Sequence, residues 1–248
     1  MPDPVQLDGS RGRIGLIIPS SNRLSEPQLT RYSPPGVQFH TTRLRMTGAY
    51  HAPPLETLER IRGAATMLAD AKVDLILFHC TANSMEGGPG ADEAIASAIR
   101  DATGVPATTT ATAVAAALRA LDVRRFVLLS PYSDETNAHE VEFLTGNGFE
   151  VLAAHGLNLP GSDAYISYPP DAWYERVMER LDERADGYFL SCTNIRAFEV
   201  IEELEAATGK PVVASNQASL WHALRRIGVP DAVPGLGRLL AEPSGVPA

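Results

Sequence analysis

Two cysteines are the residues of this chain best suited to chemistry. Cys80 ends the apolar run VDLILFHC and is followed by TANS, and Cys192 ends GYFLSC and is followed by TNI. A thiolate is a nucleophile, and the positive end of a helix lowers the pKa of a free thiol. Short polar residues after a cysteine begin helices and leave backbone N–H groups free to bind an anion. The pattern predicts an activated thiol beside an anion site at both places.

A lone cysteine at the end of a strand also has a simpler interpretation. Free cysteine is among the most buried residue types and commonly serves as a small core side chain. The similarity between the surroundings of Cys80 and Cys192 favours chemistry over packing, because two independent core cysteines have no reason to match.

The two halves of the chain repeat one order of segments. RIGLIIPSSN, VDLILFHCTANS and TGVPATTTATAVAAALRALDV correspond to RFVLLSPYSDETN, ADGYFLSCTNI and TGKPVVASNQASLWHALRRIGV. Arg13 and Arg125 are as far apart in the chain as Cys80 and Cys192 are. Such a near-constant offset predicts two lobes of one design, each with a single cysteine in the same position.

Strands and helices alternate in the predicted elements of both halves. Short apolar runs predict strands over 13–19, 37–44, 73–80, 105–109, 125–131, 149–157, 187–192 and 211–215. Helical periodicity covers 55–71, 91–103, 112–122, 136–148, 171–184, 196–209 and 216–228. This alternation is typical of parallel sheets covered by helices. We therefore expect an α/β fold with two pseudo-symmetric, flavodoxin-like lobes, comprising residues 13–118 with 216–239, and residues 119–215.

The active site is expected between the lobes, because open parallel sheets bind ligands beyond the carboxyl ends of their strands. Asn22 leaves the first strand in IIPSSN and can either hydrogen-bond a carboxylate or cap the following helix. Tyr132 leaves the corresponding strand of the second lobe in LLSPYSD. Its phenol can donate into the cleft, or its ring can simply be half-buried.

Composition limits the classes of partner. The chain has 248 residues, enough for a hydrophobic core, and a formal net charge of −9 without a basic run, which argues against nucleic acid or an anionic membrane. It lacks the apolar stretch of roughly 18 residues that a membrane span needs, and its start lacks a secretory signal. We expect a cytoplasmic protein with free thiols, no metal site, a small-molecule ligand and a homo-oligomeric state.

The doubled layout with one cysteine per lobe resembles the cofactor-independent aspartate/glutamate racemase superfamily over about residues 13–230. Within that superfamily, PSSN after the first strand, FHTTRLRM on the second and SC at the end of the second lobe's strand resemble maleate cis-trans isomerases. TTTATAVAAALRALDVRRFVLLSPY and PVVASNQASLWHALR also resemble arylmalonate decarboxylases.

The resemblance implies that Cys80 is a thiolate nucleophile and that Cys192 is its partner acid or base. Substrate carboxylates are then expected to be held by side chains or backbone N–H groups of Asn22, Thr81, Ala82, Tyr132, Thr193 and Asn194. No cofactor or metal is needed for such a reaction. The implied activity is cis-trans isomerisation of maleate or a related small unsaturated dicarboxylate.

Three alternatives stay open at this point. A racemase or epimerase of the amino-acid or hydantoin type uses the same pair of cysteines, although amino-acid racemases of this superfamily usually carry Asp-Ser where this chain has Ser20, Ser21 and Asn22. Arylmalonate-type decarboxylases carry glycine at the position of Cys80. A non-catalytic binder of small carboxylates needs no reactive thiol at all.

Overall fold

Two four-stranded parallel sheets organise the structure, a computed structural model that describes residues 9–46 and 54–243. The first sheet has the order β2-β1-β3-β4 and consists of β1 (Gly12–Pro19), β2 (Val37–Leu44), β3 (Leu75–Phe78) and β4 (Ala107–Thr109). The second has the order β6-β5-β7-β8 and consists of β5 (Arg125–Ser130), β6 (Glu150–Gly156), β7 (Gly187–Leu190) and β8 (Val212–Ala214). The predicted α/β fold with two parallel-sheet lobes is confirmed.

Helices connect the strands and cover the sheets. They are α1 (Ser25–Tyr32), α2 (Pro54–Asp70), α3 (Thr81–Met85), α4 (Ala91–Thr103), α5 (Thr110–Ala120), α6 (Asp134–Gly146), α7 (Ser162–Ser167), α8 (Pro170–Met178), α9 (Ile201–Thr208) and α10 (Ser215–Arg226). The short helices α1, α3 and α7 have no predicted range, because SEPQLTRY, TANSM and SDAYIS lack an apolar period. The polar residues after Asn22 and Cys80 predicted only that helices start there.

Two helices are shorter than their sequence pattern predicted. The helix predicted over 171–184 ends at Met178, and the Asp182 side chain accepts the Arg184 N–H at 2.9 Å in a turn that replaces helical geometry. The helix predicted over 196–209 becomes a 3₁₀ turn at Phe198–Val200 followed by α9. Elsewhere the predicted and observed strands agree to within two residues at nearly every end.

The two sheets pair equivalent residues of the internal repeat in the same register. Ile14 of β1 pairs with Leu75 of β3, and Phe126 of β5 pairs with Gly187 of β7 at the equivalent positions of the second lobe. Helix α10, which follows the second sheet, packs against α5, which follows the first. The predicted lobe boundaries near 118 and 215 stay a prediction.

Alternate residues of β1 serve two hydrophobic clusters. Ile14, Leu16 and Ile18 belong to a cluster that runs through both lobes, whereas Ile17 faces a cluster confined to the first lobe. This alternation follows from the two-residue period of a strand. Because one core is shared, the carboxyl ends of both sheets are held in a fixed relation.

Gly156, the last residue of β6, lies in a crowded part of the second lobe. A Cβ there would lie 2.4 Å from the Tyr132 carbonyl oxygen and 2.7 Å from Asn137 Nδ2. We expect Gly156→Ala to lower the free energy of unfolding by about 1–3 kcal/mol through overpacking, measured by urea denaturation. Gly63→Ala in α2 is the control, because its Cβ would meet no described atom within 4 Å and should stabilise the helix by about 0.5–1 kcal/mol. Equal stability of Gly156→Ala and the unmodified protein would contradict the prediction.

Candidate active site

Cys80 occupies the junction between β3 and α3. It is the N-cap of α3 in an extended conformation, and its carbonyl accepts the Ser84 N–H at 3.1 Å. The helix start predicted directly after this cysteine is confirmed. The thiol is 7% exposed and donates to Asn83 Oδ1 at 3.0 Å. A residue of the short helix thus fixes the direction of the S–H bond.

Cys192 has a different backbone setting. The helix start predicted directly after it is wrong, because residues 193–195 form a turn and helical structure begins only at Phe198. Cys192 has a φ of 130°, a conformation that costs free energy in any residue with a side chain. The turn points the Asn194 N–H at Cys192 Sγ, 3.3 Å away. One directed N–H group therefore takes the place of a helix end.

The two thiols and the Tyr132 hydroxyl form one interacting group. Tyr132 hydrogen-bonds Cys192, and its pKa is raised well above the usual value, first by burial and then by the charges of Cys192, Glu140 and Cys80. Charge on Cys80 likewise raises the pKa of Cys192. The structure thus brings together residues from both lobes that the sequence analysis selected.

Burial dominates the acidity of both thiols. It raises the pKa of Cys80 to about 12, against the lowering effect of a hydrogen bond from the Asn83 backbone. It also raises the pKa of Cys192 to about 12, against the lowering effects of Tyr132 and Asn194. Loss of solvation thus outweighs the local donors and opposes the predicted activation of both thiols. Burial therefore favours the protonated form of both cysteines.

Asn22 joins the two lobes and lies just before α1. Its Oδ1 accepts the N–H groups of Leu24 and Ser25 at 3.1 and 3.0 Å. Its Nδ2 donates to Thr193 Oγ1 at 3.1 Å and to the Thr193 carbonyl at 3.2 Å. The capping interpretation thus describes its present contacts, and holding a carboxylate would require one of these donations to be exchanged.

Three of the other selected residues, Thr81, Ala82 and Thr193, have polar side-chain or backbone groups with different functions. Thr81 Oγ1 donates to Ser215 Oγ at 2.9 Å, so its side chain supports the fold. The backbone N–H groups of Thr81 and Ala82 belong to the first turn of α3, where no intrahelical acceptor exists. Thr193 uses its carbonyl to accept from Asn22 and Asn216.

Asn194 offers a donor that the described residues do not use. Its Oδ1 accepts the Arg23 N–H at 3.0 Å, which fixes the orientation of the amide. Its Nδ2 is buried and has no partner in the described part of the chain. A buried donor without an acceptor is costly and commonly serves a ligand.

Ser215 and Asn216, at the start of α10, are site residues that the sequence analysis missed. Ser215 Oγ accepts from Thr81 Oγ1 and from the Cys192 N–H, the latter at 3.1 Å, so it links the two cysteine segments. Asn216 Nδ2 donates to the Thr193 carbonyl at 3.1 Å. The signal was present in the repeat, because SNQ begins the helix that follows the second sheet just as TAT begins the helix that follows the first.

His79 is not the base for its neighbour Cys80. Asn216 presents Oδ1 to His79 Nε2 at 3.0 Å, so that nitrogen carries the proton. The other nitrogen accepts from Thr110 Oγ1 at 3.1 Å. Burial lowers the pKa of His79 to about 4, which keeps the ring neutral and structural.

Open space lies next to Asn83 in the first lobe. A cavity of about 340 Å³ is lined by the end of β2, by α2 and α4, and by Asn83 and Glu86. Asn83 therefore separates this space from the Cys80 thiol, to which it is hydrogen-bonded.

Residues 9–46 and 54–243 lack two kinds of feature. No group of histidine, cysteine, aspartate or glutamate side chains there has the arrangement of a metal site. No helix of that part of the chain is long and apolar enough to cross a membrane.

Comparison with known proteins gives consistent matches over nearly the whole chain. The family model for arylmalonate decarboxylase matches residues 14–240. The maleate isomerase of Nocardia farcinica is 31% identical, over 95% of this chain and 98% of that protein. A mutant of the Nocardia farcinica enzyme with a covalently bound succinylcysteine intermediate superposes with a TM-score of 0.85 at 28% identity, covering 93% of this chain and 98% of that one. A variant of the Pseudomonas putida S16 maleate isomerase with maleate superposes with a TM-score of 0.87 at 25% identity, covering 93% of this chain and 98% of that one.

Proposed function

The chain belongs to the arylmalonate decarboxylase family, and we propose that it is a cofactor-independent cis-trans isomerase of maleate or a related small unsaturated dicarboxylate. The observation that carries the proposal is the pair of buried thiols, one from each lobe, whose charges influence each other. The similarity to maleate isomerases, one of them with a succinylcysteine, supports the same chemistry.

In the proposed reaction, the Cys80 thiolate adds to one alkene carbon and forms a C–S bond. The π electron pair moves to the neighbouring carbon and into its carboxylate, and the Cys192 thiol then gives its proton to that carbon. The former double bond is now single and rotates. Cys192 takes the proton back, the double bond re-forms, and the C–S electron pair leaves with Cys80. Cys80 ends as a thiolate and Cys192 as a thiol, as both began, so no oxidant or reductant is consumed.

The raised pKa values suit the two cysteines to different degrees. Cys192 must keep a proton until the adduct forms, and a pKa of about 12 keeps it. Cys80 must lose its proton, which the same shift opposes. We therefore expect the thiolate of Cys80 to be a minor species at neutral pH, whose intrinsic nucleophilicity is high because it is poorly solvated.

The substrate carboxylates are proposed to meet donors from both lobes. The proposed donors are Asn194 Nδ2, which has no partner among the described residues, the Tyr132 hydroxyl and the backbone N–H groups of Thr81 and Ala82. Thr193 and Asn22 are proposed to position this cradle through their mutual bonds. Donors already in place stabilise negative charge as it develops on the carboxylate next to the attacked carbon.

A two-cysteine racemase or epimerase is the second candidate, because thiols from opposite lobes also suit removal and return of a proton on opposite faces. Incubation with maleate in deuterated water, and separately with chiral amino acids, hydantoins and arylmalonates, distinguishes the candidates by NMR. We expect the trans alkene to accumulate from maleate. Exchange of an α-hydrogen in a chiral substrate, or loss of CO₂ from an arylmalonate, without any trans alkene would contradict the isomerase.

A small carboxylate as the partner, a homo-oligomeric state and a cytoplasmic location also belong to this proposal. Light scattering coupled to size exclusion tests the oligomer directly. A monomer at all concentrations would contradict that part alone and leave the chemistry untouched.

Tyr132→Phe should impair the reaction through Cys192. The hydroxyl stabilises the Cys192 thiolate, and its bond lowers the pKa of that thiol. Its removal should raise the pH at which Cys192 is alkylated and reduce kcat/KM by about 10- to 100-fold, as loss of a buried donor to a charge does. Steady-state kinetics and site-resolved alkylation measure the two effects.

Tyr165→Phe is the matched control for this variant. The Tyr165 ring packs edge-on against Tyr132 with centroids 5.8 Å apart, so the variant loses the other hydroxyl of the same ring pair. We expect a much smaller change in Cys192 alkylation. Equal effects of the two variants would mean that the Tyr132 hydroxyl has no special relation to the thiol.

A further inference from the structure

Glu140 is a buried carboxyl group for which the proposed reaction has no use. It lies in α6 and is fully excluded from solvent. Its Oε1 accepts from Ser191 Oγ at 2.8 Å, whereas its Oε2 is buried without a partner among the described residues. A carboxylate that keeps one oxygen unpaired in the interior is costly unless it is protonated or has a task.

The position of Glu140 connects it to the site from three directions. Ser191, its hydrogen-bond partner, directly precedes Cys192. Helix α6 starts just after Tyr132 and packs against α3, whose N-cap is Cys80. A single charge at Glu140 therefore lies behind both thiols and the phenol.

The groups that face Glu140 are neutral or acidic. Cys192 and Tyr132 face it from the ends of β7 and β5, and Cys80 faces it from α3, with Glu86 at the far end of α3. Strand β6, which packs on α6, contributes Glu150 at its first residue and His155, whose pKa is lowered by burial and by Arg180. On α6 itself, His139 and Glu142 flank Glu140 in sequence.

Opposing effects on the pKa of Glu140 place its ionisation within the pH range of ordinary experiments. Burial raises the pKa of Glu140 to about 8, against the lowering effect of the Ser191 hydrogen bond. Conversely, negative charge on Glu140 raises the pKa of Cys80, Cys192 and Tyr132. Like charges in a poorly solvated interior repel each other strongly.

We propose that Glu140 is a positioning residue that sets the charge of the two-cysteine site. When Glu140 is protonated, a thiolate can form in the site and a dicarboxylate can bind beside it. When Glu140 is ionised, its negative charge opposes both the thiolate and the dicarboxylate. The inference rests on the proposed function only in assuming that a thiolate is the reactive species. A site that binds a dianion next to Glu140 then takes up a proton or keeps one, so substrate binding and protonation of Glu140 favour each other.

The test uses iodoacetamide alkylation of the full chain between pH 6 and 10, with mass spectrometry to assign each cysteine. In the unmodified protein, the alkylation rate constant should rise with pH, rise less steeply near pH 8 as Glu140 ionises, and then rise steeply again. We call this interval of lower slope the break. In Glu140→Gln, which keeps an acceptor for Ser191 but carries no charge, the break should disappear. The variant should match the unmodified protein at pH 6 and react about three- to tenfold faster at pH 9.5.

Glu142→Gln is the matched control, because it removes the same charge from an exposed position two residues along α6. It should leave the break in place. Ser191→Ala provides an independent test should Glu140→Gln not fold, because loss of the hydroxyl that stabilises the carboxylate should move the break to higher pH. A smooth profile in the unmodified protein, or a break that survives in folded Glu140→Gln or stays in place in Ser191→Ala, overturns the proposal.

The same measurement separates this inference from the isomerase proposal. Iodoacetamide reports on the thiols whether or not maleate is a substrate. A break that responds to Glu140→Gln in a protein that does not turn over maleate would retain the role of Glu140 and reject the substrate.

Discussion

Cys80→Ala should abolish turnover of maleate. The variant removes the only atom that the proposed reaction bonds to the substrate, so no route to the rotating single bond remains. We expect kcat/KM to fall roughly 10⁴-fold or more, as the loss of a covalent nucleophile does in other enzymes. Formation of the trans alkene, followed by NMR or by the loss of maleate absorbance, measures the effect.

We expect this variant to fold, since the alanine fills most of the space of a buried cysteine and keeps the extended backbone of the N-cap. Circular dichroism and a denaturation curve provide the control. Asn83→Ala is an informative companion, because it removes the acceptor of the Cys80 S–H while leaving the sulfur in place. Full activity of Cys80→Ala would reject the covalent mechanism.

Cys192→Ala should be almost as damaging, but for a different reason. Cys80 remains able to add to the alkene, whereas the proton that Cys192 gives and takes back is no longer delivered from the opposite lobe. We expect kcat to fall about 10²- to 10⁴-fold, the usual contribution of a general acid or base. The adduct on Cys80 should also outlive its normal lifetime, because its breakdown needs the same group.

Intact-protein mass spectrometry after incubation with maleate checks this expectation. A mass increase of one maleic acid on Cys80 in Cys192→Ala, and none in Cys80→Ala, is the expected pair of results. Unimpaired turnover by Cys192→Ala would instead leave Cys80 to act alone. An adduct found on Cys192 in Cys80→Ala would exchange the proposed roles.

The sequence predicted the sheets well because their pattern is dense. Most strands are short apolar runs bounded by polar residues, and three segments of the first half recur in the second, as VDLILFHC and GYFLSC do. The repeat also placed Cys80, Cys192 and Tyr132 at strand exits, where the structure has them. These predictions depend on periodicity and order, both of which a sequence records.

What the sequence could not predict depends on local geometry and on distant partners. The turn at Cys192 has a φ that no sequence rule assigns to cysteine, so a helix was predicted where a turn occurs. The acidity of the thiols was predicted from nearby donors, whereas burial by the surrounding fold decides it. Glu140 escaped notice because it sits amid ordinary helical residues and meets Ser191 only in three dimensions.

The two cysteines lie in different local structures, so the site should distinguish between the two alkene carbons of its substrate. Cys80 is held by a helix cap and by Asn83, whereas Cys192 is held by a tight turn and by Tyr132, so sulfur and proton reach the substrate from assigned sides. Maleate cannot reveal such a preference, because its two alkene carbons are equivalent. In a butenedioate with one substituted carbon they differ, and we expect Cys80 to bond to one of them in preference to the other.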